Sequence, residues 1–261
     1  MLRAMSTAAS GMQAQQMRMD STANNLANVN TTGYKKSRVQ FQDLFYEQMR
    51  TPGAPTSNEN QAPTGLEVGR GTRAVGTVRD FRTGDLTQTG GRLDVAIEGP
   101  GFFQVRTPNG EIAYTRDGSF RTSARGQLVT ADGYALEPGL AIPEDTQEVT
   151  VSADGIVSVL PADSTQSVEV GRIQLASFVN PGGLRPEGQN LYSETEASGM
   201  PLIAEPGARG TGTLAQGFLE GSNVRVVEEM IDLISTQRAY ETNSKVVRAA
   251  DEMLRSTSNL R

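Results

Sequence analysis

The stretch from Gly221 to Arg261 constrains this chain more than any other. Val226, Leu233, Tyr240, Val247 and Leu254 recur at intervals of seven, which sets all five on one stripe of a coiled-coil-like helix. No Pro or Gly interrupts the run after Gly221. At ~1.5 Å per residue such a helix reaches roughly 55 Å, longer than a single small core needs. Ser222 or Asn223 is placed to cap it by accepting a bond from a first-turn N–H. Glu228 and Glu229 suit the positive end of the helix dipole, and Arg248 and Arg255 the negative end. Val224, Val227, Ile231 and Ile234 add a second apolar face in the first half only, so one partner does not suffice there. In the second half, Thr236, Asn243 and Ala250 alternate with the stripe and are small or polar enough for close, register-specific packing.

The first thirty residues are a plausible mate. Leu2, Met5, Ala9, Met12, Gln16, Met19, Ala23 and Leu26 follow the 3-4 spacing of a heptad seam. Met5, Met12 and Met19 give that seam an adaptable surface, because the unbranched thioether fills irregular gaps. Heptads of this kind serve a hairpin that closes a monomer as well as contacts between copies, and the pattern leaves both open.

Between the two ends the chain changes character. Asn24, Asn25, Asn28 and Asn30 suit a frayed helix exit, since Asn tolerates the left-handed conformation and bonds its own backbone, and Gly33 then turns the chain. Val39, Phe41, Leu44, Phe45 and Tyr46 follow, and then a Pro-rich loop with Pro52, Gly53, Pro55, Pro63 and Gly65. A loop that long is more often functional than idle. From Leu66 onward short strands alternate with turns. Asn109-Gly110 predicts a hairpin between Phe102–Arg106 and Ile112–Arg116, and Asp117-Gly118, Arg125-Gly126, Asp132-Gly133 and Asp154-Gly155 continue an antiparallel meander. The pattern predicts an α+β fold, with long N- and C-terminal helices packed as a coiled coil and a central antiparallel β domain. Its boundaries are an N-terminal helix over 1–34, a segment with the Pro-rich loop and a hairpin over 35–75, the β domain over 76–204, a return segment over 205–222, and the C-terminal helix over 223–261.

Composition removes several classes of chemistry. The 261 residues hold no Cys, no His and no Trp. Disulfides, thiolate chemistry and the usual imidazole base or zinc ligand are thereby excluded. A net charge of −6 argues against the basic face that nucleic acid requires. No segment reads as a secretory signal or a membrane span, which leaves export by a route that reads an uncleaved N-terminus open. Asp80/Asp85, Asp94/Glu98 and Glu144/Asp145 are carboxylate pairs that a solvated turn or strand edge explains. Ser119 and Ser123 have no His to activate them. No catalytic residue, cofactor or metal site is expected.

Three segments carry a resemblance. Ala23-Asn-Asn-Leu-Ala-Asn-Val-Asn-Thr-Thr-Gly-Tyr-Lys35 resembles the N-terminal motif of the bacterial flagellar rod and hook family. Gln237-Arg-Ala-Tyr-Glu-Thr-Asn-Ser-Lys245 resembles that family's C-terminal motif, and Asp94–Val105 with Tyr114–Phe120 its β domain. The resemblance spans essentially the whole chain, and its length and Pro-rich insertion are most like the distal-rod branch; proximal-rod and hook-type members are the near alternatives. It implies a structural subunit of the basal body that polymerises helically with itself in the periplasm and transmits torque. It also implies unfolded export by the flagellar type III apparatus, and as neighbours the proximal rod, the hook or hook junction, and the surrounding P and L rings. Met5, Met12, Met19, Leu26, Val226, Leu233, Tyr240, Val247 and Leu254 would carry self-assembly. Asn24, Asn25, Leu26, Asn28, Asn30, Gly33 and Tyr34 would form the family motif with a role in export, and the Pro-rich loop would stiffen the shaft. The rival class, a cell-wall sugar-binding or hydrolytic module, needs an aromatic cleft that a chain without Trp is poorly equipped to build.

Overall fold

The computed structural model describes residues 2–53, 63–143, 145–162 and 166–259. It contains two compact units, each assembled from separated stretches. The first gathers Met1–Leu26, Ser37–Val78 and Val226–Arg261, and the second Ala27–Lys36 and Arg79–Arg225. These limits differ from boundaries drawn along the sequence at 34, 75, 204 and 222. Patterning reads continuous segments, whereas packing gathers discontinuous ones.

The first unit holds the two long helices, α1 (Leu2–Ala27) and α2 (Val226–Asn259). At ~1.5 Å per residue, α2 extends roughly 51 Å. Neither residue expected to cap α2 does so. The Ser222 hydroxyl accepts from the Val224 N–H at 3.3 Å, ahead of the helix. The Asn223 amide accepts from the Lys36 N–H at 2.7 Å and donates to the carbonyl of Asp80 at 2.8 Å. Tertiary bonds have claimed the side chain that local propensity would assign to the helix end. The same unit contains a ribbon of Ser37–Asp43 paired with Thr72–Arg79, and an antiparallel pair of Glu47–Arg50 with Leu66–Val68 from which the Pro-rich loop departs.

The second unit is built mainly of β-strands, with a short 3-10 turn at Pro181–Gly183, and among the described residues its strand pairings are antiparallel. Its central strand is Phe102–Arg106. On one side that strand pairs with Ile112–Thr115, in the hairpin that Asn109-Gly110 turns. On the other side it pairs first with Leu175–Ser177 and then with Ala135–Glu137, so the sheet departs from a simple meander. Successive side chains of a strand point to opposite faces, and here both faces are covered. Phe103 and Val105 enter the larger core with Ile97, Leu136, Val157 and Ile173. Phe102 enters a smaller aromatic core with Tyr114, Phe178 and Tyr192, where the Tyr114 and Phe178 rings meet edge-on at 4.8 Å. Each such buried ring contributes roughly 1.5–3 kcal/mol by its removal from water. Thr146–Val151, Ile156–Pro161 and Val168–Arg172 form a separate three-stranded sheet, turned at Asp154-Gly155 as its sequence predicts.

Candidate functional site

Within the second unit a buried charge cluster joins three distant parts of the chain. Lys35 and Glu220 are 0% exposed at the side chain, and Arg116 is 2%. One Glu220 carboxylate oxygen accepts from Lys35 Nζ at 2.6 Å and from the Gly84 N–H at 2.9 Å. The other accepts from Arg116 at 3.1 Å. Lys35 also donates to the carbonyl of Arg82 at 2.8 Å, and Arg116 to that of Gly99, with its guanidinium over the Phe102 ring. Two cations thus share one anion out of water. Burial pushes the Lys35 ammonium below its ordinary range, with Glu220 opposing the shift, and lowers Arg116 for the same reason. Gly33 completes the joint. Its N–H donates to the Glu220 carbonyl at 2.7 Å, and it holds φ at 69°. A Cβ there would lie 2.8 Å from the Arg116 and Asp117 backbone, so both conformation and space demand glycine.

In the first unit the helices run antiparallel. Arg18 bonds Asp232 at 3.2 Å, Asn25 bonds Glu229 at 3.1 Å, and a Cβ on Gly11 would stand 3.0 Å from the Asn243 amide. Rising numbers on α1 therefore meet falling numbers on α2. The fully buried positions are small or polar: Ala8, Ala14, Thr22 and Asn25 on α1, and Glu229, Thr236 and Ala250 on α2. The apolar stripe named from sequence is less covered. Met5, Met12, Met19, Leu26, Leu233, Val247 and Leu254 are half-buried, and Val226 and Tyr240 are each 37% exposed. On the opposite side of α2, Val227, Ile231 and Ile234 are 71%, 62% and 50% exposed.

The Asn-rich motif resolves into separate jobs. Asn25 accepts from the Ser37 N–H and donates to the Ser37 carbonyl, both at 2.9 Å, so its amide stands in for a neighbouring strand. Asn28 accepts from the Thr31 hydroxyl at 3.2 Å in the turn. Tyr34 is buried, Leu26 is half-buried, and Asn24 and Asn30 are exposed. Of the loop residues, Pro52, Gly53 and Pro63 are exposed and Gly65 is half-buried, while Pro55 lies outside the described residues with the rest of 54–62. Sequence reasoning missed Glu220 and Arg116 altogether and took Lys35 only as the end of a motif. Their one signal is charge set among buried β residues.

Among the described residues no group of three or more acidic or metal-ligating side chains is placed to hold an ion. No helix among them is long and apolar enough to cross a membrane.

Three family models match the chain in order: Flagella basal body rod protein over residues 5–35, the D1 domain of Flagellar hook protein FlgE/F/G over 96–159, and the C-terminal region of Flagellar basal body rod FlgEFG protein over 215–260. Among curated relatives, the Flagellar basal-body rod protein FlgG of Buchnera aphidicola subsp. Baizongia pistaciae is 48% identical, across 100% of both chains. Its counterpart from Caulobacter vibrioides is 47% identical, again across 100% of both. That of Borreliella burgdorferi is 46% identical over 100% of this chain and 99% of its own. An antiparallel helix pair carrying an uncovered apolar face and full-length likeness to these proteins agree: the chain belongs to the flagellar basal-body rod protein family, whose members are structural parts of the flagellum and not enzymes.

Proposed function

We propose that the chain is a distal-rod subunit whose copies polymerise helically into the shaft between motor and hook. The observation that carries the reading is the uncovered apolar face of α2. Val227, Ile231 and Ile234 are more exposed than a stable monomer needs, while the small-residue seam beneath is already filled. Packing those faces between copies, in a coiled-coil arrangement of the terminal helices, removes them from water. A heterologous contact that does not close generates a filament, which is the symmetry a shaft requires. Torque is then shared among many packed helices.

Full-length likeness to FlgG relatives favours the distal rod over proximal-rod or hook-type subunits. The partners that follow are the proximal rod below, the hook or hook junction above, the P and L rings around the shaft, and the type III export apparatus during delivery. Met5, Met12, Met19, Leu26, Leu233, Val247 and Leu254 form the half-buried margin of the seam and serve packing within and between copies. Leu233→Asp tests the reading, since a carboxylate on that margin opposes close packing. The variant is expected to lose polymers while its β unit stays folded by circular dichroism. Full-length polymers of Leu233→Asp in electron micrographs would refute it.

A further inference from the structure

A groove runs along the first unit between α1 and the ribbon of Ser37–Asp43 with Thr72–Arg79. It has a volume of about 390 Å³, with Met17, Asp20 and Ser21 on the helix side and Val39, Ala74 and Thr77 on the ribbon side. Its helix wall runs seven residue steps, from Met17 to Asn24. The exposed stripe of α2 from Val227 to Ile234 spans the same number, so the two match at about 10.5 Å. At about 100° per residue this stripe lies on the face of α2 opposite Glu229 and Thr236, away from the helix it packs on. Charge agrees with shape. Asp20 in the groove and Arg238, one turn past Ile234 on the same stripe, are both exposed, and neither makes an ion pair among the described residues.

We propose that this groove receives the Val227–Ile231–Ile234 stripe of a second copy's α2, with Arg238 of that copy facing Asp20. The inference rests on the polymer reading above and specifies which surfaces meet in it. Groove and stripe are different surfaces of one chain, so the contact is heterologous and leaves each copy with one of either kind unfilled, open to the next. Three aliphatic side chains are a small part of the roughly 1,600 Å² that a stable pair of proteins buries. Isolated pairs are therefore short-lived, and the contact persists only where neighbours add others.

The chain has no cysteine, which makes cross-linking unambiguous. Full-length Thr77→Cys and Ile231→Cys proteins, each with a single thiol, are mixed at polymerising concentration and mildly oxidised. A disulfide between positions 77 and 231 is expected to predominate in the sedimented polymer, and it must join two copies because no chain carries both thiols. Polymer that contains only 77–77 or 231–231 links, or none, overturns the groove assignment and leaves the polymer reading standing. Folded protein that never sediments overturns both. A charge exchange adds an independent arm. Asp20→Arg and Arg238→Asp are each expected to polymerise poorly alone, and to polymerise together, since every alternating contact in the mixture pairs opposite charges. Unchanged assembly of either variant alone, or no recovery on mixing, overturns the proposal.

Discussion

Glu220 settles the charge of a buried site that two cations enter. Removing it leaves Lys35 and Arg116 without their anion in a medium that solvates them poorly. Glu220→Gln is expected to destabilise the protein by about 3–5 kcal/mol, read as a lower urea midpoint at unchanged slope. Lys35→Met should cost less, because Arg116 keeps its bond to the carboxylate. Tyr114 offers a pH signature of the same unit. Burial, reinforced by Glu194, pushes its hydroxyl up to about 12. The unfolded chain gives up that proton near pH ~10, whereas the folded chain holds it. Stability from this group is therefore complete below about pH 10 and lost as pH rises through about 12. Phenolate absorbance should show a late step above the usual tyrosine range, to which the buried Tyr192, also pushed up, contributes, and Tyr114→Phe should shrink that step. Neither residue was legible as special. Glu220 reads as a helix approach and Tyr114 as one residue of a strand, and 185 positions separate Glu220 from Lys35.

At the scale of elements, the heptad spacing located both helices but not the tight part of their contact. Ala8, Thr22, Thr236 and Ala250 are among the fully covered positions, because small side chains let two helix backbones approach closely. Larger residues at the margin, such as Met12 and Leu233, remain half in water. A spacing of seven marks which positions share a face; it does not say how near a partner comes. The Asn-rich motif shows the same limit. Asn25, Gly33, Tyr34 and Lys35 have structural duties, whereas Asn30 between them is exposed. If the motif is read during export, exposed side chains are the ones open to reading. Asn30→Ala is expected to lower secretion by intact cells while the purified variant polymerises as before. Normal secretion would leave the motif a helix exit and no more.

For the whole molecule, apolar exposure is divided unevenly. Phe41, Phe45, Tyr46, Met49, Leu66 and the α2 stripe all belong to the first unit, whereas the aromatic residues of the second are largely in its cores. Unfilled contacts thus concentrate where helices and ribbons meet solvent. The Pro-rich loop follows Glu47–Arg50 and precedes Leu66–Val68 in the chain, and its proposed role is to bridge axial neighbours and hold the shaft straight. Deletion of residues 52–64 is expected to yield curved polymers in electron micrographs, and straight ones would count against the bridging role. The sequence by itself determined two long terminal helices, a β region between them, the hairpin at Asn109-Gly110 and the absence of Cys, His and Trp, because periodicity, turn chemistry and composition are local properties. Only the tertiary structure decided that Lys35, Arg116 and Glu220 share one buried site, that Asn223 serves the β unit and not the helix cap, and which face of α2 stays bare. Each of those depends on which distant segments come within a few ångströms, and spacing along a chain carries no record of that.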